Sequence, residues 1–292
     1  MEKIDSYKVV IEKHIIFFYK FVSGTLFNLF RDDSVQNSIN NRQGTHKRKY
    51  LKQHYIKSYN LLLAIIILCG ANPHKSLIDE GKIIFRTLFE NIVNFLYIFS
   101  FETSEERQKL ILQFYDYLQI ALNKYPKKIF QKNEEKTFKT FEFKKVLDML
   151  LQLNIKDSLY SKENEYKKKY KVKNLNTWSG KTMADILNEL NNKYPEMGFE
   201  FYQKYYYDTN PYVHCNILEY MNEDGVIVEN SSNEDKLDLI HKSIFLFLGY
   251  SEAYFNLLGK EIRKEYPELY RYFDDIEDQY HSLYQGPQTI QV

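Results

Sequence analysis

Few residues in this chain interrupt a helix. Proline occurs six times and glycine ten times in 292 residues, and the segments between them repeat apolar side chains at three- and four-residue spacing. That period places the apolar groups on one face of an α-helix, whereas a half-buried strand would alternate every second residue. The expected fold is all-α, a multi-helix bundle, taken as a single helical domain over residues 1–292.

The first helix is expected from about Ile4 to Phe30, with aromatic residues at Phe17, Phe18, Tyr19, Phe21, Phe27 and Phe30. A polar stretch follows, Arg31 to Lys49, with the composition of a mobile loop. The second helix spans Tyr50 to Cys69 and stops at Gly70, with Pro73 just beyond, a common way to end a helix. The third, Leu77 to Ser100, opens after "SLID" (Ser76 to Asp79), which resembles a capping box. It is apolar on nearly every face, so it belongs at the centre of the fold. A fourth starts after Thr103 or Ser104 and reaches about Lys124. Residues 126–176 are rich in lysine and glutamate, with short apolar stripes that fit less tightly packed, less ordered helices. "KENEYKKKYKVK" within them reads as a solvated face or as a patch for a partner. Further helices are expected over Thr182 to Asn191, Phe199 to Tyr207, Lys236 to Lys264 and Pro267 to Leu283. "DGVIVENSS" (Asp224 to Ser232) has the pattern of a short strand without a partner.

Composition removes several classes of function. Formal net charge is +1, so any polyanion must be held by a local patch rather than by the field of the whole protein. Two cysteines, Cys69 and Cys215, offer neither a disulfide framework nor a C-x-x-C metal pattern. The apolar run Leu61 to Ala71 is too short to cross a bilayer, and the charged start is not a secretory signal. The expectation is a cytoplasmic protein with no membrane contact, no cofactor and no metal.

Two places carry candidate chemistry. In "FRTLFENIVNFLYI" (Phe85 to Ile98), Arg86 and Glu90 sit four residues apart and share one face of an otherwise apolar helix. Burying either charge alone would cost several kcal/mol. They therefore either pair and fix the packing, or line a polar cleft in which Arg86 holds an anion and Glu90 orients a partner. In "FYQKYYYDTNPYVHCN" (Phe201 to Asn216), Asn210 before Pro211 marks a break and a cap for a following helix. His214 falls on that helix's first turn, where the positive helix end disfavours imidazolium and suits a neutral base. A packed histidine in an aromatic core is the competing reading. The remaining histidines, His14, His46, His54, His74, His241 and His281, have polar sequence neighbours and are read as surface. Trp178, in "WSGKTMADILNEL", is read as a packing anchor with Ser179 or Thr182 as the helix cap.

Taken in order, "GKIIFRTLFENIVNFLYIF", then "WSGKTMADILNEL", a tyrosine-rich helix and "NPYVHCN" resemble a bacterial family known only as a domain of unknown function. The resemblance covers Lys75 to Asn216. That family in turn looks similar to HEPN-type helical domains, many of which are RNA-cleaving toxins or phage-defence effectors. The resemblance implies a HEPN-like core with additional helices, a homodimer, and metal-independent RNA cleavage in an abortive-infection type of defence system. His214 would be the base, Asn210 would position it, and Arg86 with Glu90 would complete the site. Thr209 stands where the HEPN signature has its arginine, so the cation falls to Arg86. "RKYLKQH" (Arg48 to His54) also fits the Arg-to-His spacing, although seven arginines and seven histidines make such a match by chance an ordinary event. Two other readings stay open. One is a non-enzymatic module, docking onto a partner protein, in which Arg86, Glu90 and His214 form a buried structural network. The other is a small-molecule or nucleotide sensor with the tyrosines as a stacking wall.

Overall fold

The structure, a computed structural model, describes residues 2–42, 45–70, 78–133, 155–172, 177–193 and 233–285. Every regular element among these residues is helical, with no strand. They belong to two compact units, Met1–Ser100 with Leu187–Val292, and Phe101–Ile186. The expected strand Asp224 to Ser232, the helix Phe199 to Tyr207 and the Ser76 cap lie outside the described residues.

The first unit opens with α1 (Glu2–Phe17), which widens into a π-helical segment (Phe18–Phe27) and closes as α2 (Asn28–Arg31). The widening has a visible use. Phe18, Val22 and Leu26, each four residues apart, are all sealed from solvent, a repeat longer than the 3.6 residues of an α-helix. One helical run thereby reaches several neighbours. Phe17 and Phe21 pack on Tyr272, Phe18 and Phe27 stack on Tyr59, and Phe30 stacks on Tyr55.

Where the sequence suggests a mobile loop over Arg31 to Lys49, the structure has a helix, α3 (Asp33–Asn40). The Asp32 side chain accepts from Ser34 N at 2.8 Å and caps it, a contribution of about 1 kcal/mol. Val35 and Ile39, one turn apart, are buried beneath it, and Gln36 Nε2 donates to Phe30 O at 2.6 Å. A polar sequence hides a short amphipathic helix, and α4 (Thr45–Gly70) begins within the same stretch.

The centre is made by α4, α5 (Ile78–Phe99) and α9 (Asn233–Leu257). Contacts from Tyr50–Phe99 through His54–Phe95 to Cys69–Gly81 show α4 and α5 running antiparallel. Gly81 permits the closest approach. A Cβ there would lie 2.7 Å from Cys69 Sγ and 2.9 Å from Leu239 Cδ2. After α9 come α10 (Ile262–Glu265) and α11 (Pro267–Gln285). The long helix expected to Lys264 thus breaks at Gly259, whose φ of 81° is a left-handed conformation suited to glycine.

Three histidines expected at the surface are buried: His14, His54 and His241. His54 Nε2 donates to Asn91 O at 2.8 Å and its Nδ1 accepts from Tyr250 Oη at 3.0 Å. His14 Nδ1 donates to Val10 O at 2.8 Å, so its Nε2 accepts, at 3.0 Å, the proton on His241 Nδ1. Each ring's tautomer is set by the carbonyl or ring beside it. Polar sequence neighbours point each of them outward, yet each falls in the three- and four-residue apolar register of its helix.

The second unit holds α6 (Ser104–Asn133), α7 (Ile155–Tyr170) and the start of α8 (Met183–Lys193). Reciprocal capping boxes open α6 and α8. Thr103 and Glu106 exchange hydrogen bonds, as do Thr182 and Asp185, the arrangement that satisfies two orphan helix donors at once. Trp178 is buried against Phe114, and its carbonyl accepts from Gln113 Nε2 at 3.0 Å and from Tyr166 Oη. Gly180 then turns the chain with φ of 74°, and a Cβ on it would meet Val172 Cγ1 at 2.6 Å. The W-x-G pattern is therefore a packing anchor followed by a turn that requires glycine.

Two outcomes follow for stability. Burial lowers the pKa of His14 to about 4 and of His54 to about 3, and holds His241 lower still, with the nearby Lys242 ammonium adding to the effect. The folded state keeps these rings neutral, while the unfolded chain takes up protons below about pH 6.5. Stability is full above that pH and falls as the pH drops, by up to about 2 kcal/mol for an independent ring such as His54 at pH 5, with the coupled His14–His241 pair adding in the same direction. A urea midpoint that stays level between pH 7.5 and pH 5 would rule this out. Separately, Gly81→Ala is expected to cost about 1–3 kcal/mol by overpacking, measured as the shift in that midpoint at pH 7.5.

Candidate functional site

α5 positions the one pair of proposed site residues that lies within the described chain. Its apolar side chains Phe85, Leu88, Phe89, Ile92 and Val93 are fully buried and fix the helix on its neighbours. The face left over carries Ile83, Arg86, Thr87 and Glu90, all exposed or half-buried. Arg86 Nε donates to Glu90 Oε1 at 3.2 Å, and the two side chains are 17% and 39% exposed.

That exposure decides between two readings of the pair. A buried ion pair would be costly to break, by several kcal/mol. A fully exposed pair at i and i+4 contributes only about 0.3–0.5 kcal/mol, and this pair, with Arg86 mostly covered and Glu90 more open, lies between those limits. Apolar burial on the other faces of α5 outweighs it many times over, since each buried side chain contributes about 1.5–3 kcal/mol. Against that burial the pair is a secondary term in the fold. What it does fix is orientation: Glu90 holds the guanidinium of a residue that keeps its charge at any physiological pH.

Asn210 and His214 lie outside the described residues, as do the clustered tyrosines 202 and 205–207. Of the expected site the structure therefore brings together Arg86 and Glu90. His54, the histidine of the other Arg-to-His spacing, uses both ring nitrogens in the core. Arg48 instead bonds Asn40 O at 3.0 Å and Thr45 Oγ1 at 3.3 Å. That match is a coincidence of spacing, and His54 has no nitrogen left to act as a base. Among the described residues no three His, Cys, Asp or Glu side chains are grouped to hold a metal ion, and no helix is long and apolar enough to cross a membrane.

The second unit contains a feature that appears in the sequence only as a charge run. Lys162, Glu165, Tyr166 and Lys169 of α7, with Asp116 and Ile120 of α6, line an open cavity of about 320 Å³. Lys169 Nζ pairs with Asp116 at 2.9 Å, and Tyr170 Oη donates to the same carboxylate at 2.7 Å. The alternation of tyrosine and lysine at helical spacing is the signal that could have found it.

No curated protein and no solved structure matches the chain. A family model described as "Family of unknown function (DUF5677)" matches residues 48–235, a span containing Arg86, Glu90, the Trp178–Gly180 turn, Asn210 and His214. The ordered motifs that resemble a domain of unknown function thus have their counterpart. With most of its length matched, the chain belongs to the DUF5677 family.

Proposed function

We propose that this protein is a HEPN-like effector of a bacterial defence or toxin system that cleaves RNA in the cytoplasm as a homodimer, without a metal ion. The observation that carries the reading is the half-open Arg86–Glu90 pair on a helix whose other faces are buried. Glu90 there orients a cation that keeps partial access to solvent, as a group that meets a substrate anion requires. His214 would take the proton of a ribose 2′-hydroxyl, whose oxygen attacks the adjacent phosphorus. The bond to the 5′ oxygen breaks, that oxygen takes up a proton, and a cyclic phosphate remains. Arg86 would face the negative charge that builds on the phosphoryl oxygens, held in place by Glu90, while Asn210 orients the imidazole.

A second reading has its own support. Arg86 is already paired within its helix at 3.2 Å, as expected of a regulatory module that docks onto a partner protein without chemistry. The two readings part in an inducible growth-arrest assay with total RNA followed on a gel. Wild type is expected to fragment RNA. His214→Ala should lower the rate by about 10²–10⁴ and Arg86→Met by about 10²–10³. The melting transition of Arg86→Met is followed alongside, so that lost cleavage is separated from lost folding. Intact RNA with active wild type, or undiminished cleavage by folded His214→Ala, sinks the enzymatic reading.

A further inference from the structure

Apolar side chains crowd one outer side of the first unit. Seven large hydrophobic residues are exposed among those described, and five of them lie on three adjacent helical runs. They are Ile16 and Tyr19 of the run from α1 to α2, Ile56 and Ile67 of α4, and Ile83 of α5, each 36–53% exposed.

Contacts beneath them set the five on one side. α4 lies antiparallel to the first run, with Gly70 against Ile15, Tyr59 bonded to Ser23 at 2.9 Å and Tyr55 stacked on Phe30. Along its other flank it lies antiparallel to α5, with Cys69 beside Gly81 and Ser58 bonded to Asn91 at 2.8 Å. Helical spacing then turns Ile56, Asn60, Leu63 and Ile67 away from both neighbours. Tyr19, next to the Phe18 ring that stacks on Tyr59, borders this stripe on one flank, and Ile83 borders it on the other. A contiguous apolar patch of this kind marks a contact surface, whereas single exposed residues do not.

Spacing and charge together identify what covers it. Ile56, Asn60, Leu63 and Ile67 follow one another at four, three and four residues, the seam by which one helix packs along another, and a lone polar residue such as Asn60 fixes the register of a seam. Thr45 to Lys57 of α4 holds five lysines and arginines and no acidic residue, while Ser58 to Gly70 holds no charge. Beside that uncharged end stand exposed Glu12 of α1 and Glu80 of α5. A second α4 laid antiparallel, with Ile56 against Ile67 of the other copy, brings each basic half to the other copy's acidic flanks. Lys57 then comes close to Glu80 on the α5 flank, and Lys52 close to Glu12 on the α1 flank. Among the described residues these four enter no ion pair. Parallel packing would instead set basic half on basic half.

We infer that the outer face of α4 joins two copies of this chain about a two-fold axis, α4 antiparallel to α4. Such a contact uses the same patch twice and must be self-complementary, as this one is in both its apolar seam and its charges. The axis crosses α4 between Leu61 and Leu62, level with Thr87 and Leu88 of α5, so the Arg86–Glu90 pairs of the two copies come to the same side of the dimer. This interface deepens the proposed homodimer by naming the face that joins its copies, and it rests on the proposed function only for the use made of the two Arg86 side chains.

The test is the mass of the full-length chain, read by light scattering behind a size-exclusion column across a concentration series. Wild type is expected at twice the chain mass of 35.3 kDa. Ile56→Lys/Ile67→Lys sets like charges face to face and should weaken the dimer about a hundredfold, with the circular dichroism of wild type. Ile56→Lys/Ile67→Glu should dimerise again, because antiparallel packing sets each new cation against the other copy's new anion. If the first variant does not fold, Lys57→Glu, expected to weaken the dimer, and Lys57→Glu/Glu80→Lys, expected to restore it, decide in its place. A monomeric wild type assigns the face to another occupant and overturns the inference, as does a double-lysine variant that stays dimeric or a folded Ile56→Lys/Ile67→Glu variant that stays monomeric. A dimer broken by the seam variant, in a wild type that never cleaves RNA, removes the enzymatic reading and leaves this one. Cleavage by a monomeric wild type does the reverse.

Discussion

Where α4, α5 and α9 meet, His54, Tyr55, Tyr250 and Tyr254 are closed off from water, and the first unit depends on how their polar atoms are satisfied there. A buried hydroxyl or ring nitrogen without a partner costs about 1–3 kcal/mol, so the helices hold the register that pairs them. Tyr250 Oη donates to His54 Nδ1, His54 Nε2 donates to Asn91 O, Asn91 Nδ2 donates to Ser58 Oγ at 2.8 Å, and Tyr254 Oη donates to Leu51 O at 3.2 Å. A slide of one helix by a single turn would break several of these bonds together. Apolar burial drives the three helices together, and these bonds select one alignment. Burial also pushes the phenol of Tyr55 upward, and those of Tyr250 and Tyr254 well upward, so the cluster stays uncharged. The same central packing fixes α5, and with it the direction in which Arg86 and Glu90 face.

Helices are legible in the sequence wherever one face is continuously apolar. The long α4, α5 and α9 begin or end within a few residues of the expected positions, except that α9 stops at Leu257. Misses arise where local composition and tertiary position pull apart. Asp33–Asn40 is polar enough to read as loop, and only the burial of Val35 and Ile39 shows why it is helical. For His14, His54 and His241 the sequence neighbours mislead, and their place in the apolar register is the better guide. The π-helical turn at Phe18–Phe27 has no signature beyond an apolar repeat, Phe18, Val22 and Leu26, slightly too long for an α-helix.

For the candidate site, the spacing of Arg86 and Glu90 predicts that they meet, and they do. Their exposure cannot be read from spacing, because it depends on which neighbours cover that side of α5. The difference matters for function. Had the pair been sealed, several kcal/mol of folding would have hung on it, and its presence would need no other reason. Half-open, it carries less of the fold than a sealed pair would.

The two units also handle charge in different ways. In the first unit several pairs cancel within a single helix: Lys82 with Asp79, Arg86 with Glu90 and Lys242 with Asp238. Each is three or four residues apart, the separation at which opposite charges support a helix. The end of α7 does the opposite by setting lysines side by side. Like charges so close repel across less than the screening length of physiological salt, about 8 Å, and the helix bears that cost locally. Net charge hides this completely, since a sum near zero follows equally from local cancellation and from opposite patches kept apart.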